Sequence, residues 1–396
     1  MKINILNFSK SQIVVLLILW SAFLFSFVDR LAWAPVIPLA AKALQLNAKE
    51  AGSYMSAFYF GYILTQLPGG YLADRFGYRK ILLYSFFIMG FFTILMGTVG
   101  NFWQGFFYRI FAGMGSGAIF SACVKGVFDW FSEKNRYTAM GFFMTASSVG
   151  VFLVNIFVPT IAKFHGWNAS FYVAGMLPII TLLFAYFFLY ENSSSNETKS
   201  ILSFVYDIKI LLKNKEFMLT GLAGFFAMWA TWGTATWANS YLNKGLGLTL
   251  IQAGFFMSAF GITALICKPI AGILTDITGW KKKNIIFFML ILFFIFLVIF
   301  GINRSIFALY FLAPILGILA FVYSPVMNTF VGELVDKRNI GIAMGLINAI
   351  WQLGSLISPL AVGFVLDLTH SYFYAFLTLG LGPLLGSIIM LAASDR

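Results

Sequence analysis

The sequence predicts an all-α polytopic membrane protein with about twelve transmembrane helices in two six-helix repeats. Three observations predict it. Of 396 residues, 60% are hydrophobic and 10% charged, with a mean hydropathy of +0.89, whereas soluble domains carry about 25% charged residues. Apolar runs long enough to cross a bilayer, roughly 20 residues each, recur from end to end. The chain also repeats itself: shifted by 202 positions, Ala51-Gly52 falls on Ala253-Gly254, Met55-Ser-Ala-Phe58 on Met257-Ser-Ala-Phe260, and Asp74, Gly77 and Lys80 on Asp276, Gly279 and Lys282. A shift of 204 lays Ala139-Met-Gly141 on Ala343-Met-Gly345 and Gly150 on Gly354. Parallel repeats of this kind place a substrate path at their interface, near the membrane midplane.

In chain order, the first run, near 12–40, carries Asp29-Arg30 in its interior. It is too long and too charged for a cleaved signal peptide, so it is retained as a helix. Ionisable groups at that depth cost several kcal/mol unless they face a cavity or a partner, so the pair marks a candidate functional site. Runs near 50–72, 80–99, 102–128, 137–163 and 167–190 complete a first bundle, residues 1–190. Residues 191–215 form a polar, then basic and partly amphipathic central loop. Runs near 216–240, 250–275, 284–303, 305–332, 339–366 and 371–393 make a second bundle, residues 216–396. With both termini placed in the cytoplasm, most loop Lys and Arg share their side, and only Lys42, Lys49, Lys163, Lys244 and Arg304 lie opposite. The sequon-like Asn192-Ser-Ser and Asn196-Glu-Thr then carry no weight as glycosylation sites.

The net charge of +12 is spread thinly between apolar runs, which fits loop topology and not nucleic-acid binding. Cys123 and Cys267 have no ligand-like neighbours, and His165 and His370 sit at loop edges without metal-ligand spacing, so no metal is expected. No Gly-Lys-Ser/Thr phosphate loop and no catalytic constellation occurs, so neither enzyme activity nor a cofactor is expected.

Two stretches carry chemistry beyond the first helix. Gly70-Tyr-Leu-Ala-Asp74-Arg75-Phe-Gly77-Tyr-Arg79-Lys80 spaces glycines for close packing and a tight turn around an aspartate that can cap a helix or pair with a base. A solvated basic loop accounts for Arg75, Arg79 and Lys80 but not for Gly70, Asp74 and Gly77. In Arg109-Ile-Phe-Ala-Gly113-Met-Gly115-Ser-Gly117, the helical step of about 100° puts Ser116 and Phe120 on the face of Arg109 and turns Lys125 about 160° away. Arg109 is read as lining the cavity, against the alternative that it bonds backbone carbonyls across a helix gap. Lys125, near Asp129, and Lys268 are read as snorkelling, Lys268 with a substrate role as its alternative. Tyr59, Tyr62, Gln66, Trp229, Trp232, Asn328, Asn348 and Gln352 are further candidates to line a path, each alone more often a helix-packing group.

The Gly70–Lys80 stretch resembles the signature loop between helices 2 and 3 of the major facilitator superfamily, and the stretch holding Gly272, Asp276 and Gly279 resembles its second copy, although Ile277 replaces the arginine after the aspartate. The helix 4 stretch resembles another motif of that superfamily. Phe27-Val-Asp29-Arg30, the run Gly52–Gly70 and Tyr241-Leu-Asn-Lys-Gly-Leu-Gly-Leu are similar to the anion:cation symporters within it. The resemblance implies the major facilitator fold, a conformational latch at Gly70–Lys80, and proton-coupled symport of a small organic anion, a carboxylate or sugar acid, by alternating access. It implies that Arg30 binds the substrate carboxylate, Arg109 completes the positive site and Asp29 takes up a proton, against a permanent ion pair between Asp29 and an arginine. Many members carry a second acid seven residues after the helix 4 arginine, where this chain has Ser116. An exporter of a drug-like or siderophore-like polycarboxylate, an organophosphate or amino-acid carrier, and a non-transporting receptor remain alternatives. A monomer in a bacterial inner membrane is expected, with lipid, protons and the anion as its only partners.

Overall fold

A computed structural model describes residues 8–191, 201–278, 280–335 and 340–394, and all regular structure among them is helical. The first apolar run is not one helix but two, α1 (Lys10–Leu31) and α2 (Trp33–Ala43), meeting at Ala32. Pro35 just beyond the junction has no N–H to give back to the preceding turn, so the ladder is weakened there. Then come α3 (Ala48–Phe76), α4 (Tyr78–Met96), α5 (Phe102–Gly117) and α6 (Ile119–Trp130), which share one crossing, α7 (Glu133–His165) and α8 (Trp167–Phe188). The amphipathic segment becomes α9 (Ile201–Lys213), which buries Leu211 against α10 (Lys215–Ser240) and α14 (Ile340–Thr369). A π-helical turn, Tyr241–Gly245, ends α10. The remaining helices are α11 (Leu250–Thr278), α12 (Lys282–Ile302), α13 (Ile306–Glu333) and α15 (Tyr372–Ala392).

Among the described residues, ten helical segments are long and apolar enough to cross a membrane. Helices α3 and α10, 29 and 26 residues long and richer in Gly, Thr, Tyr and Trp, bring the crossings to twelve. An even number of crossings leaves Lys10 and Ala392 on one face, the terminal face; the opposite one is the far face. The sequon-like stretches and Gly279 lie outside the described residues. Gly272 and Asp276 fall in the backbone of α11, and their surroundings are likewise outside the description.

Residues 8–191 and the segment after 215 meet toward the far face. Repeat-related glycines make the meeting possible. A Cβ on Gly52 would strike the carbonyl of Pro359 in α14, and one on Gly254 would strike the carbonyl of Asn155 in α7. Gly52 and Gly254 are mates under the shift of 202, Asn155 and Pro359 under the shift of 204, so one close helix contact occurs twice, once in each direction across the interface. Around it, Trp237 Nε1 donates to Pro359 O at 3.0 Å, and Asn239 Nδ2 to Asn155 Oδ1 at 2.9 Å. At the rim, Asp367 of α14 accepts the N–H groups of Ala48 and Lys49, both at 2.8 Å. With Asn47 capping the next donor through Glu50 N–H, the exposed start of α3 is satisfied jointly by both halves of the chain. A residual hollow of about 250 Å³ above this seal is lined by Asn47, Ser240, Lys244, Asp367 and His370 among others.

Removing the Asp367 carboxylate takes away a helix cap, a change of about 1 kcal/mol, and it does so only in the arrangement with the far face closed. Ser240→Cys, at a position 1% exposed, reports on closure, because Cys123 and Cys267 are buried. The expected outcome is severalfold faster thiol labelling of Ser240→Cys when Asp367→Ala is added. An unchanged rate separates Asp367 from closure.

Candidate anion site at the break in the first span

The site is built by the junction of α1 and α2. There Asp29 and Arg30 are 0% and 1% exposed, buried in the middle of the crossing. Carbonyls next to a helix junction need other donors, and Arg109 of α5 supplies them. Its Nη1 donates to Asp29 O at 3.1 Å, its Nη2 to Arg30 O at 2.8 Å and its Nε to Tyr54 O at 3.4 Å. The guanidinium lies 4.5 Å from the Phe58 ring centroid. Arg109 is thus occupied by backbone, the alternative reading of its role from the sequence, and its fork is not open to a ligand. Close packing of α3 on α5 positions it: a Cβ on Gly113 would meet Phe58 O and one on Gly61 would meet Ile110 O.

Arg30 is placed differently. Its guanidinium carbon lies 4.5 Å from the Phe27 ring, 4.4 Å from Tyr62, 5.7 Å from Tyr59 and 5.8 Å from Trp232. Trp232 comes from α10, so the aromatic cage is completed across the interface. Arg30 Nε and Nη2 are buried without a hydrogen-bond partner. Cation–π contacts stabilise the charge, but a buried donor left unsatisfied costs about 1–3 kcal/mol. A planar fork of this kind matches a carboxylate or another oxyanion.

Asp29 points the other way. Thr93 of α4 donates its hydroxyl to Asp29 Oδ1, and Arg109 Nη1 lies 3.9 Å from the same oxygen. Oδ2 is buried and unpartnered. Adjacent in sequence, the acid and the base therefore face different neighbours. Neither Thr93 nor the partition of roles between the two arginines is legible in the sequence.

The other candidates descend from Arg30 toward the terminal face. Counted at 1.5 Å per residue from the helix end at the terminal face, Tyr59 and Trp232 lie about 26 Å in, Tyr62 about 21 Å, Gln352 about 18 Å, Gln66 about 15 Å, Asn348 about 12 Å and Asn328 about 8 Å. The Tyr59 hydroxyl is buried beside the Arg30 guanidinium, and the side-chain oxygens of Gln66, Ser116 and Gln352 are buried and unpartnered, as are those of Ser355 and Ser358, which carry no signal in the sequence. Asn348 is half-buried, and Asn328 is exposed near the mouth. Trp229 is not free to serve: its indole N–H donates to Thr378 O at 3.1 Å. A larger hollow of about 460 Å³, lined by Ile266, Ile270, Trp280 and Ile318 among others, is apolar and offers an anion nothing.

At the terminal face, the Gly70–Lys80 stretch makes a tight corner at Gly77, whose φ of +89° disfavours a side chain. Asp74 pairs with Lys125 of α6 at 2.9 Å, and the same ammonium donates to Ala73 O at 3.1 Å. Lys125 therefore reaches this corner at the terminal face, near Asp129, and takes Asp74 as its ion-pair partner. Glu191 accepts Arg79 N–H at 3.0 Å, and Arg79 Nη2 donates to Tyr186 O at 2.7 Å. Arg75 reaches Tyr71 at 3.4 Å, and a Cβ on Gly70 would make ordinary contact with Ser121. Lys80 is exposed.

A family profile described as Major Facilitator Superfamily matches residues 19–359 and 222–395. A protein of Escherichia coli (strain K12) named as a probable galactarate/D-glucarate transporter is 26% identical over 425 residues, covering 96% of this chain and 94% of its own. A cis,cis-muconate transport protein of Acinetobacter baylyi is 26% identical over 370 residues, covering 87% of each. A probable sulfoacetate transporter of Cupriavidus necator is 24% identical, covering 94% and 91%. Among solved structures, a bacterial homolog of the human lysosomal transporter Spinster superposes with a TM-score of 0.83 at 15% identity over 98% and 97% of the two chains. A D-xylose–proton symporter does so with 0.79 at 16% identity over 97% and 98%.

The two arginines respond differently to truncation. Arg109→Gln leaves three carbonyls short of a charged donor and is expected to cost about 3 kcal/mol, seen as a clearly lowered melting temperature of the purified protein. Arg30→Gln removes a charge with free donors and is expected to change stability by less than about 1 kcal/mol. Equal losses in the two variants would make Arg30 structural as well.

Proposed function

The chain belongs to the major facilitator superfamily, and from that premise we propose that it is a proton-coupled symporter of a small organic anion, a carboxylate or sugar acid. The observation that carries this reading is the Arg30 fork, buried in an aromatic cage with Nε and Nη2 unpartnered. An arginine built only to hold helices together would be bonded as Arg109 is. The relatives named above for galactarate/D-glucarate, cis,cis-muconate and sulfoacetate are named for acids, in keeping with a cationic site.

In this mechanism the anion enters the cage and takes the free donors of Arg30 in a bidentate pair. Arg109 keeps the α1–α2 junction in place and so presents Arg30; it positions rather than binds. Asp29 is the proton carrier, with Oδ2 as the open position and Thr93 and Arg109 holding Oδ1. A proton on Oδ2 neutralises the acid, so the site moves across as anion, proton and Arg30 together. Ser116, where many members have a second acid, leaves Asp29 as the single deep carrier.

The rest of the cycle follows from the two bundles, 1–190 and 216–396, rocking about the site, with 191–215 as their connection. The terminal face is cytoplasmic by its Lys and Arg content, in a bacterial inner membrane, and the far face is the one sealed by Gly52, Gly254 and Asp367. The corner at Gly70, Asp74, Arg75, Gly77, Arg79 and Lys80, with Lys125 as the partner of Asp74, is the latch that holds or releases the terminal face, together with the copy at Gly272, Asp276 and Gly279.

Uptake of sugar acids into proteoliposomes, with and without an imposed pH gradient, tests the reading. Accumulation is expected only with the gradient, and rates indifferent to it would refute proton coupling. Arg30→Lys keeps the charge but loses the fork, and is expected to weaken the binding that raises thermal stability by about tenfold, roughly 1.4 kcal/mol. Asp29→Asn is expected to keep binding while abolishing gradient-driven accumulation; coupling that survives it would move the proton elsewhere.

A further inference from the structure

Arg30 supplies one open cationic group. A second lies in the other half of the chain. Lys268 of α11 follows Gly261 by seven residues and Gly254 by fourteen, which is about two and four helical turns, so the three share one stripe of the helix. That stripe faces α7, because a Cβ on Gly254 would meet Asn155 O and one on Gly261 would meet Phe152 N and Val151. Two turns nearer the terminal face, Lys268 therefore lies along the crevice between the halves.

Its contacts lead back to the cage. The ammonium sits 5.2 Å from the Phe321 ring, Phe321 packs edge-on against Trp232 at 6.0 Å, and Trp232 is 5.8 Å from Arg30. Among the described residues Lys268 takes part in no ion pair, and its ammonium stands over the face of the Phe321 ring. Under the shift of 202 it is the mate of Gln66, whose Oε1 is buried and unpartnered. The two positions thus occupy equivalent places in the two repeats.

A lysine at this depth without a protein anion is costly unless something mobile completes it. The one mobile anion in the cycle is the substrate. Its first acidic group occupies Arg30, and Arg109 is bonded to carbonyls. We infer that Lys268 binds a second acidic group, so that the carrier selects organic acids with two negative charges and holds them with one cation from each half. The flexible four-carbon stem of lysine extends toward Arg30 as the terminal face closes, which makes the dianion itself the tie that draws the halves together. This inference rests on the organic-anion reading of Arg30.

The test compares two sugar acids of one carbon skeleton, galactonate with one carboxylate and galactarate with two, by competition for counterflow in proteoliposomes and by thermal stabilisation of the purified full chain. The unmodified chain is expected to bind galactarate about tenfold or more tightly than galactonate, and Lys268→Gln to erase that preference while Lys268→Arg keeps it. Lys268→Met serves if Lys268→Gln does not insert. Equal affinities in the unmodified chain, or a loss of both acids together in Lys268→Gln and Lys268→Met, would overturn the inference and leave the Arg30 reading in place. Retention of both acids by Arg30→Gln would overturn the Arg30 reading, and the inference with it.

Discussion

The three hydrogen bonds that Arg109 gives to the carbonyls of Asp29, Arg30 and Tyr54 are the interaction on which the site depends. A break in a membrane helix exposes carbonyls that no water can reach, and each costs several kcal/mol unless a donor is brought to it. Arg109 meets that need with a group whose own charge is in turn offset by carbonyl dipoles, by Asp29 at 3.9 Å and by the face of Phe58. Neighbours on a helix point about 100° apart, and the two adjacent charges turn to different partners. Asp29 turns to Thr93 in α4, and Arg30 turns to the rings of α3 and α10.

The same economy appears in how the halves meet. Contact at the far face does not rely on large apolar side chains, because in a bilayer these gain little by leaving lipid. It relies on glycines that bring backbones together, Gly52 on Pro359 and Gly254 on Asn155, and on a few polar ties such as that from Asn239 to Asn155. Contacts of this kind are short-range and geometrically exacting. They hold firmly in one arrangement and are lost when the backbones move apart, in keeping with the alternating access proposed above. Asp367 has the same character, since it satisfies the start of α3 from across the seam, and so has Asp74, which is tied to Lys125 at the opposite face.

Much was legible in the sequence because membrane insertion imposes strong one-dimensional rules. Length and apolarity marked the spans, Lys and Arg marked the loops, and self-similarity at 202 and 204 marked the halves. Buried charge singled out Asp29, Arg30 and Arg109, since a charge in a span needs a reason. Gly77 announced its turn, and the structure gives it a φ of +89°. The resemblance to the major facilitator superfamily followed from those same residues, and the profile match over 19–359 and 222–395 places the chain in it.

What the tertiary structure alone decided is which charge is spoken for. Helical phase puts Arg109 on an inward face but cannot say whether a ligand or a carbonyl waits there; that depends on a junction at Ala32, nearly eighty residues earlier in the chain. Lys125 lies near Asp129, as its place in the helix suggests, but its ion-pair partner is Asp74, because α3 and α6 lie side by side. Lys268 stands over the Phe321 ring, a contact between α11 and α13 that no single stretch of sequence announces. Sequence determines that a residue is charged, buried and inside a span. The partner comes from another helix, and the distance between helices is set by packing, which no single stretch of sequence contains.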